Sequence, residues 1–212
     1  MNKAMIVGVS ASMACGLASA GEVWPESFGW PMEHIMISME GNDLHAHVNT
    51  DAANRIEMQR FDGAVYSGAA DVLTDTYYSD QYGWVADGFI DPGAGNSIWI
   101  EQLDATNGLG VYEGGMRMMR PEHTYDAIFG TAGSESAWRW SGMMTHHWYS
   151  VGELGEYEAG YRIFVGDALG NAVTGFGEAS VTLHFAAVPA PGSIGVLVGF
   201  GLMAARRKRG SA

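Results

Sequence analysis

Closely spaced turn signals divide most of this chain into segments that are too short for long helices. Glycine after Asp, Asn or Pro favours tight turns, because glycine readily adopts the positive φ angles that many turns need. Between the turns the segments are apolar, or alternate between apolar and polar residues as strands do. The main signals are Glu40-Gly41-Asn42-Asp43, Asp62-Gly63, Asp91-Pro92-Gly93, Asn107-Gly108, Glu113-Gly114-Gly115, Gly166-Asp167 and Gly170-Asn171. We therefore predict an all-β fold, with one β-sandwich of immunoglobulin-like or jelly-roll-like type over residues 21–187.

Two hairpins stand out within this domain. Residues 34–39 and 44–48 flank the first turn and predict a hairpin. Residues 160–165 and 179–185 predict a second hairpin that closes the domain, and residues 97–103 predict a further strand. From Val181 to Phe185 the apolar and polar residues alternate, which is the period of a half-buried strand. Residues 66–87, rich in Tyr, Asp and Ser, are predicted as a long loop.

The charge of the domain is strongly negative and excludes one class of partner. The whole chain has a formal net charge of −13, but residues 21–188 contain six Arg, no Lys and all 24 acidic residues, which gives −18. Such a surface repels phosphate backbones, so we expect no nucleic-acid binding, and it attracts cations. The single cysteine, Cys15, lies outside this part of the chain. Any metal site in the domain must therefore use ligands other than cysteine.

The N-terminus has the pattern of an export signal. Lys3 precedes an apolar run of small residues, and Ala18-Ser19-Ala20 precedes the first acidic residue, Glu22. A positive start, a short apolar helix and an Ala-x-Ala site predict a Sec signal peptide over residues 1–20, with Ala18 and Ala20 forming the cleavage site. Lipidation of Cys15 is the alternative, but Ser12-Met13-Ala14 lacks the residues that such a site prefers. We expect the protein to be exported.

The C-terminus has three parts in a fixed order. A Pro-rich start is followed by an apolar segment, residues 193–205, that predicts a short transmembrane helix with its basic end in the cytoplasm. The tail closely resembles the PEP-CTERM sorting signal over residues 188–212, with Ala190 where the usual signal has Glu. That resemblance implies processing by a membrane-embedded exosortase during transfer to the cell surface. The start consists of Val188, Pro189, Ala190, Pro191 and Gly192, and the basic end of Arg206, Arg207, Lys208 and Arg209.

The domain contains a group of motifs that occur together in a second family. They are His34, the Leu-His-Ala-His motif at 44–47, Ser97-Ile98-Trp99-Ile100-Glu101-Gln102, and the pair His146-His147 leading to Gly155-Glu156-Tyr157. In these motifs the domain resembles the choice-of-anchor M surface domain over residues 32–187. In that family one domain is joined to alternative surface anchors, PEP-CTERM tails among them. It implies a β-domain displayed at the surface.

Histidines give the most specific indication of a site. His45 and His47 are two residues apart, so on a strand both side chains lie on one face, with their Cα atoms about 6.5–7 Å apart. His34 lies on the partner strand, and His146 or His147 would add a ligand from elsewhere, although adjacent residues lie on opposite faces of a strand. Two interpretations remain open. One is a Zn²⁺ site formed by His34, His45, His47 and His146; the other is the polar face of an edge strand.

Other site patterns are weaker. No nucleophile elbow, His-Glu-x-x-His motif or P-loop is present, so we do not predict an enzyme. Carboxylate pairs such as Glu153 and Glu156 leave a secreted hydrolase as a remote alternative. The loop 87–96 is either a Ca²⁺ loop or a plain turn. The aromatic residues Trp138, Trp140, Trp148 and Tyr149 form either a sugar-stacking platform or part of the core. The methionines at 116–119 and 143–144 are interpreted as core filler.

These predictions describe an exported protein of the cell surface or extracellular matrix. Its membrane-anchored precursor would pass through the Sec machinery and the inner membrane and would meet an exosortase. The β-domain would have a structural or adhesive role, with surface polysaccharide or matrix as its partner, and Zn²⁺ binding is the alternative role. No other cofactor is predicted.

Overall fold

The described residues form twelve strands in two sheets. A computed structural model describes residues 22–26 and 32–189 of the chain. The strands in chain order are β1 (Glu33–Glu40), β2 (Asp43–His47), β3 (Ile56–Met58), β4 (Tyr77–Ser79), β5 (Tyr82–Ala86), β6 (Ser97–Ala105), β7 (Gly110–Gly115), β8 (Ala127–Ile128), β9 (Ala137–Trp140), β10 (Thr145–Val151), β11 (Gly155–Gly166) and β12 (Ala179–Ala187). Three short 3₁₀ helices connect them at Gly68–Leu73, Arg120–Glu122 and Thr131–Gly133. The predicted all-β, sandwich-like class is confirmed.

The two sheets are mixed in strand direction. The seven-stranded sheet has the order β2-β1-β5-β10-β7-β8, and β4 also pairs with β10. The five-stranded sheet has the order β3-β12-β11-β6-β9. Strands β1 and β5 are parallel, as are β3 and β12, and the remaining pairs are antiparallel.

Both predicted hairpins are present. In the first, β1 pairs with β2 through a turn at Gly41 and Asn42, with Met36 opposite His47. In the second, β11 pairs with β12 over nine residue pairs, and the Asp167 carboxylate accepts hydrogen bonds from the backbone N–H groups of Leu169 and Asn171 in the connecting loop. In β12, Leu183 and Phe185 are buried and His184 between them is only partly buried, in agreement with the predicted alternation.

The main core lies between the sheets and is rich in aromatic residues. Trp84 of the seven-stranded sheet meets Tyr161 of the other sheet, with ring centroids 5.5 Å apart, and Tyr82 and Tyr149 meet Phe185 at 5.2 and 4.8 Å. Edge-to-face and tilted contacts of this kind add stability beyond the apolar area that they bury. The aromatic rings thus fix how the two sheets lie against each other.

A second apolar cluster covers the outer face of the seven-stranded sheet, the face turned away from the other sheet. It consists of Tyr66, Ala70, Leu73, Tyr78, Tyr125 and Trp148. The prediction of a long loop over residues 66–87 is therefore wrong, because this segment contains a 3₁₀ helix, β4 and β5. Both faces of this part of the sheet are covered, so the strands in this segment show no apolar–polar alternation. For this reason its Tyr-, Asp- and Ser-rich sequence did not indicate strands.

Residues 22–26 lie against this outer cluster. The N–H of Ser67 donates a hydrogen bond to the carbonyl of Val23 at 2.8 Å, and the N–H of Glu26 donates to the Tyr78 hydroxyl at 3.2 Å. The Arg120 guanidinium donates to the carbonyl of Pro25 at 3.1 Å. The segment next to the predicted cleavage site therefore forms part of the folded domain.

Several predictions concern residues outside the described parts. They are the signal peptide with Ala18 and Ala20, the helix over 193–205, and the tail from Ala190 to Arg209. Of the predicted sorting signal, only Val188 and Pro189 are described; they directly follow β12, and the Val188 N–H donates to the Met58 carbonyl at 3.1 Å. Within residues 22–26 and 32–189, no helix is long and apolar enough to cross a membrane.

Candidate functional site on the outer face of the seven-stranded sheet

The candidate site is centred on β10, where the sheet is irregular on both sides. Opposite β5 and β4, two residues of β10, His147 and Trp148, face the three residues 80–82. Opposite β7, the register shifts between His146 and Trp148. Such bulges re-aim side chains and occur often beside functional sites. Here they place His146 on the outer face and direct the His147 ring towards Phe129 and Trp138.

His146 is held in one tautomer and is fully buried. Its Nδ1–H donates to the backbone carbonyl of Asp80 at 2.8 Å, so in the neutral ring Nε2 carries the lone pair. Burial lowers the pKa of His146, and this effect outweighs the opposing hydrogen bond to Asp80. Its Nε2 is buried and has no hydrogen-bond partner in the described part of the chain. Neutral His146 therefore presents a free lone pair.

His34 faces His146 across the strand between them. Both residues pair with Gly83, and the two ring centroids lie 6.2 Å apart in an edge-to-face arrangement. A Cβ at position 83 would lie 2.5 Å from the His146 ring, so glycine makes the room that this ring occupies. Among the described residues, His34 Nε2 is likewise buried without a hydrogen-bond partner. The two facing rings thus each have a buried Nε2 with no hydrogen-bond partner among the described residues.

A buried ion pair lies beside the histidines. The Arg117 guanidinium contacts the Asp80 carboxylate with an Nε–Oδ2 distance of 3.3 Å, and the Asp80 side chain is only 1% exposed. Removing one partner of a buried ion pair leaves an uncompensated charge and costs about 3–5 kcal/mol. The pair therefore anchors the loop that follows β7 to the bulge between β4 and β5.

A third histidine, His123, completes the outer-face arrangement, and sequence reasoning missed it. Its Nδ1 accepts a hydrogen bond from the Trp148 indole N–H at 2.9 Å, so Nε2 carries the proton and donates to the Met116 carbonyl at 3.0 Å. Burial lowers the pKa of His123. Both of its nitrogens have partners, so His123 is a structural residue. It lies in an irregular loop where no periodic pattern marks it.

His147 belongs to the core. Its ring lies edge-to-face against Trp138 at 4.5 Å and Phe129 at 5.7 Å, and its Nδ1 accepts a hydrogen bond from the Gly114 N–H at 3.2 Å. Complete burial lowers the pKa of His147 to about 3. Phe129 has a φ of 55°, in the left-handed region that a bulky residue seldom adopts, and tight packing around a residue is what sustains such strain.

The other two predicted metal ligands lie farther along the sheet. His45 and His47 are exposed on the edge strand β2, opposite Ser38 and Met36, so they do share a face with each other. His47 Nε2 lies 2.9 Å from the Asn49 side-chain oxygen. Within residues 22–26 and 32–189, no group of three or more His, Cys, Asp or Glu side chains is arranged to hold a metal ion. Of the predicted set, the structure brings together His34 and His146.

Two further interpretations of the sequence are decided by burial. Trp140 is buried and Trp138 packs against the main core, which agrees with a core role for this pair. The interpretation of the methionines as core filler is wrong. All five side chains are exposed: Met116, Met118, Met119, Met143 and Met144.

Within the described part of the chain, the outer-face site thus offers two imidazole nitrogens without hydrogen-bond partners beside a buried ion pair. Neutral imidazole nitrogens bind cations and accept hydrogen bonds. Comparison of the chain with known protein families, curated proteins and solved structures found no match. Any function has to be argued from the residues of this chain.

Proposed function

We propose that this chain is an exported surface protein, delivered by its C-terminal sorting tail and contributing its β-domain to the cell surface or matrix. The observation that carries the proposal is the three-part tail over residues 188–209. Its first residues, Val188 and Pro189, directly follow the last strand of the domain, which ends at Ala187. A sorting signal has to follow a completed domain if it is to be recognised apart from it.

The role proposed for the domain is structural or adhesive. Residues 21–188 contain six Arg and 24 acidic residues, so the domain is strongly negative. Such a surface favours contact with cations and with neutral or cation-bridged polysaccharide. The immunoglobulin-like or jelly-roll-like type of sandwich and the membership of the choice-of-anchor M family belong to the same proposal. They rest on the motifs of the sequence.

The sorting proposal is tested with a reporter that carries residues 187–212 in a host with exosortase. We expect a shortened reporter outside the inner membrane, and an unshortened, membrane-bound reporter when the exosortase gene is deleted. Replacing Arg206, Arg207, Lys208 and Arg209 by Gln should abolish processing, because basic residues hold this end of an apolar segment in the cytoplasm. The matched control exchanges Arg and Lys at these four positions and should be processed normally. Processing that is unchanged without exosortase would contradict the proposal.

A second candidate function is divalent metal binding at the histidine pair. The specific observation is that His34 and His146 face each other and that each has a buried Nε2 without a partner in the described residues. Two imidazoles leave two positions of a tetrahedral Zn²⁺ to water or other ligands. The candidate site thus differs from the four-histidine set because His45 and His47 lie elsewhere on the sheet.

Zinc titration of the full-length protein tests this candidate. We expect about one Zn²⁺ per chain at micromolar concentrations, with binding lost in His34→Gln and retained in the matched control His45→Gln/His47→Gln. The difference is expected because only the first variant removes a nitrogen of the facing pair. If the protein binds no Zn²⁺, or if the control loses binding instead, the histidine pair is not a metal site.

A further inference from the structure

Five exposed methionines lie in two loops beside the seven-stranded sheet. Met116, Met118 and Met119 follow β7, and Met143 and Met144 precede β10; we call these five residues the methionine cluster. Met118 is 85% exposed and Met143 is 63% exposed. The other large exposed apolar residues in the described part of the chain are Val, Leu and Phe at scattered positions. Exposed thioethers are thus concentrated in these two loops.

Strand pairing brings the two loops together. Gly115, the last residue of β7, pairs with His146, the second residue of β10. Met116 therefore leaves the sheet next to the point where the chain enters it after Met144. Hydrogen bonds brace both loops: the Met119 N–H donates to the Met116 carbonyl at 2.8 Å, and the Trp140 indole and the Thr145 hydroxyl both donate to the Met143 carbonyl.

The positive charges of the first loop are directed into the domain. Arg117 contacts the buried carboxylate of Asp80, and Arg120 donates to the carbonyl of Pro25. Met118, between these two arginines, remains exposed. A cation that approaches the methionine cluster therefore meets thioethers on a strongly acidic domain, while the nearby guanidinium groups are engaged elsewhere.

The chemistry of the cluster selects a soft cation. Leucine would give the same apolar contact surface as methionine, whereas only methionine supplies a sulfur lone pair, and thioethers favour Cu(I) over hard ions such as Mg²⁺ or Ca²⁺. No thiol competes for such an ion within residues 21–188, which contain no cysteine. We propose that the methionine cluster binds a soft monovalent cation, Cu(I), through thioethers from both loops. The proposed ligands differ from those of the histidine pair, and the proposal does not depend on the sorting proposal.

The test uses Ag⁺, a redox-inert substitute for Cu(I), and the full-length protein with ¹³C-methyl methionine. Cys15 is replaced by Ser in every sample so that no thiol binds the ion. We expect binding at micromolar Ag⁺, with methyl shifts confined to the methionine cluster. Cu(I) under anaerobic conditions, in competition with a chelator, should bind in the same way.

Three variants decide between the possible ligands. Met118→Leu/Met143→Leu removes one exposed thioether from each loop. Loss of a residue that only supports a metal ligand typically weakens binding ~10-fold. Because these thioethers are proposed to bind the ion directly, this variant should weaken Ag⁺ binding by more than that. The matched control Met36→Leu/Met39→Leu removes two thioethers from β1 and should leave the affinity unchanged. His34→Gln should also leave it unchanged.

Specific outcomes would overturn the proposal. They are absence of binding at micromolar Ag⁺, equal weakening in the Met36/Met39 control, and loss of binding in His34→Gln alone, which would assign the ion to the histidine pair. Absence of Ag⁺ binding together with a metal-independent dimer that Met118→Leu/Met143→Leu retains would make the cluster an apolar docking surface for a second copy of the chain. Normal circular dichroism spectra for all variants would show that a lost signal does not reflect unfolding.

Discussion

Replacing Gly114 by Ala is expected to destabilise the domain by about 3 kcal/mol or more, the upper end of the range for overpacking. A Cβ at this position would overlap the backbone carbonyl oxygen of His146 on the neighbouring strand. Backbone cannot rotate away as a side chain can, so relief requires β7 and β10 to separate. Separation would also break the hydrogen bond from the Gly114 N–H to His147. With typical total stabilities of about 5–15 kcal/mol, this loss is a large fraction of the whole.

Denaturant unfolding of Gly114→Ala and of the control Gly152→Ala measures the effect. Gly152 has open space where a Cβ would be added and no positive φ, so its replacement should change the free energy of unfolding by less than about 1 kcal/mol. Similar midpoints for the two variants would show that β7 and β10 are not packed as closely as described.

Acidification is expected to destabilise the domain well before its carboxylates are fully protonated. Burial lowers the pKa of His123, His146 and His147 from 6.5, in the case of His147 to about 3. In the unfolded chain these rings take up protons near pH 6.5, whereas the folded protein keeps them neutral. Their contribution is therefore complete above pH 6.5 and is lost as the pH falls. Each ring reduces the free energy of unfolding by at most about 1.4 kcal/mol per pH unit between its unfolded and folded pKa.

Comparison with a variant isolates the histidine contribution from that of the many acids. The free energy of unfolding is measured at several pH values between 7.5 and 4 for the unsubstituted protein, for His147→Gln and for His45→Gln. His147→Gln should be less stable at pH 7.5, because it loses ring contacts, but should lose less additional stability on acidification. His45 is exposed on β2, so its replacement should leave the slope unchanged. Equal slopes in all three proteins would rule out a buried neutral His147.

Strands can be recognised in the sequence where one of their faces is exposed to solvent. β12 and the hairpin of β1 and β2 show the alternation or the turn residues that make them recognisable. β10 and β5 do not, because the main core covers one face and the cluster around Tyr78 and Trp148 covers the other. All seven residues of β10 are buried, so its sequence carries no period of two. Burial on both faces follows from tertiary packing, which local patterns do not encode.

The candidate site was predictable to a similar extent. Alternation places His34 on the same face as His45 and His47, and separates the faces of His146 and His147. Which histidines meet depends on register: Met36 pairs with His47, so His34 lies beyond the end of β2 and meets His146 across Gly83 instead. His123 and the Asp80–Arg117 pair come from irregular segments, where spacing in the sequence gives no distance in space.

The position of β12 has a mechanical consequence for a domain held by its C-terminus. β12 lies between β3 and β11. The N–H of Val188, just after β12, also donates a hydrogen bond to the carbonyl of Met58 in β3. The hydrogen bonds of a sheet run across the strands. A pull along β12 therefore strains its hydrogen bonds to β3 and β11 at the same time, in shear. It does not break these bonds one after another from the end of the strand. The nine residue pairs with β11 would share that load. With the proposed C-terminal anchor, β12 would therefore resist a pull as an interior strand and would not be peeled off as an edge strand would.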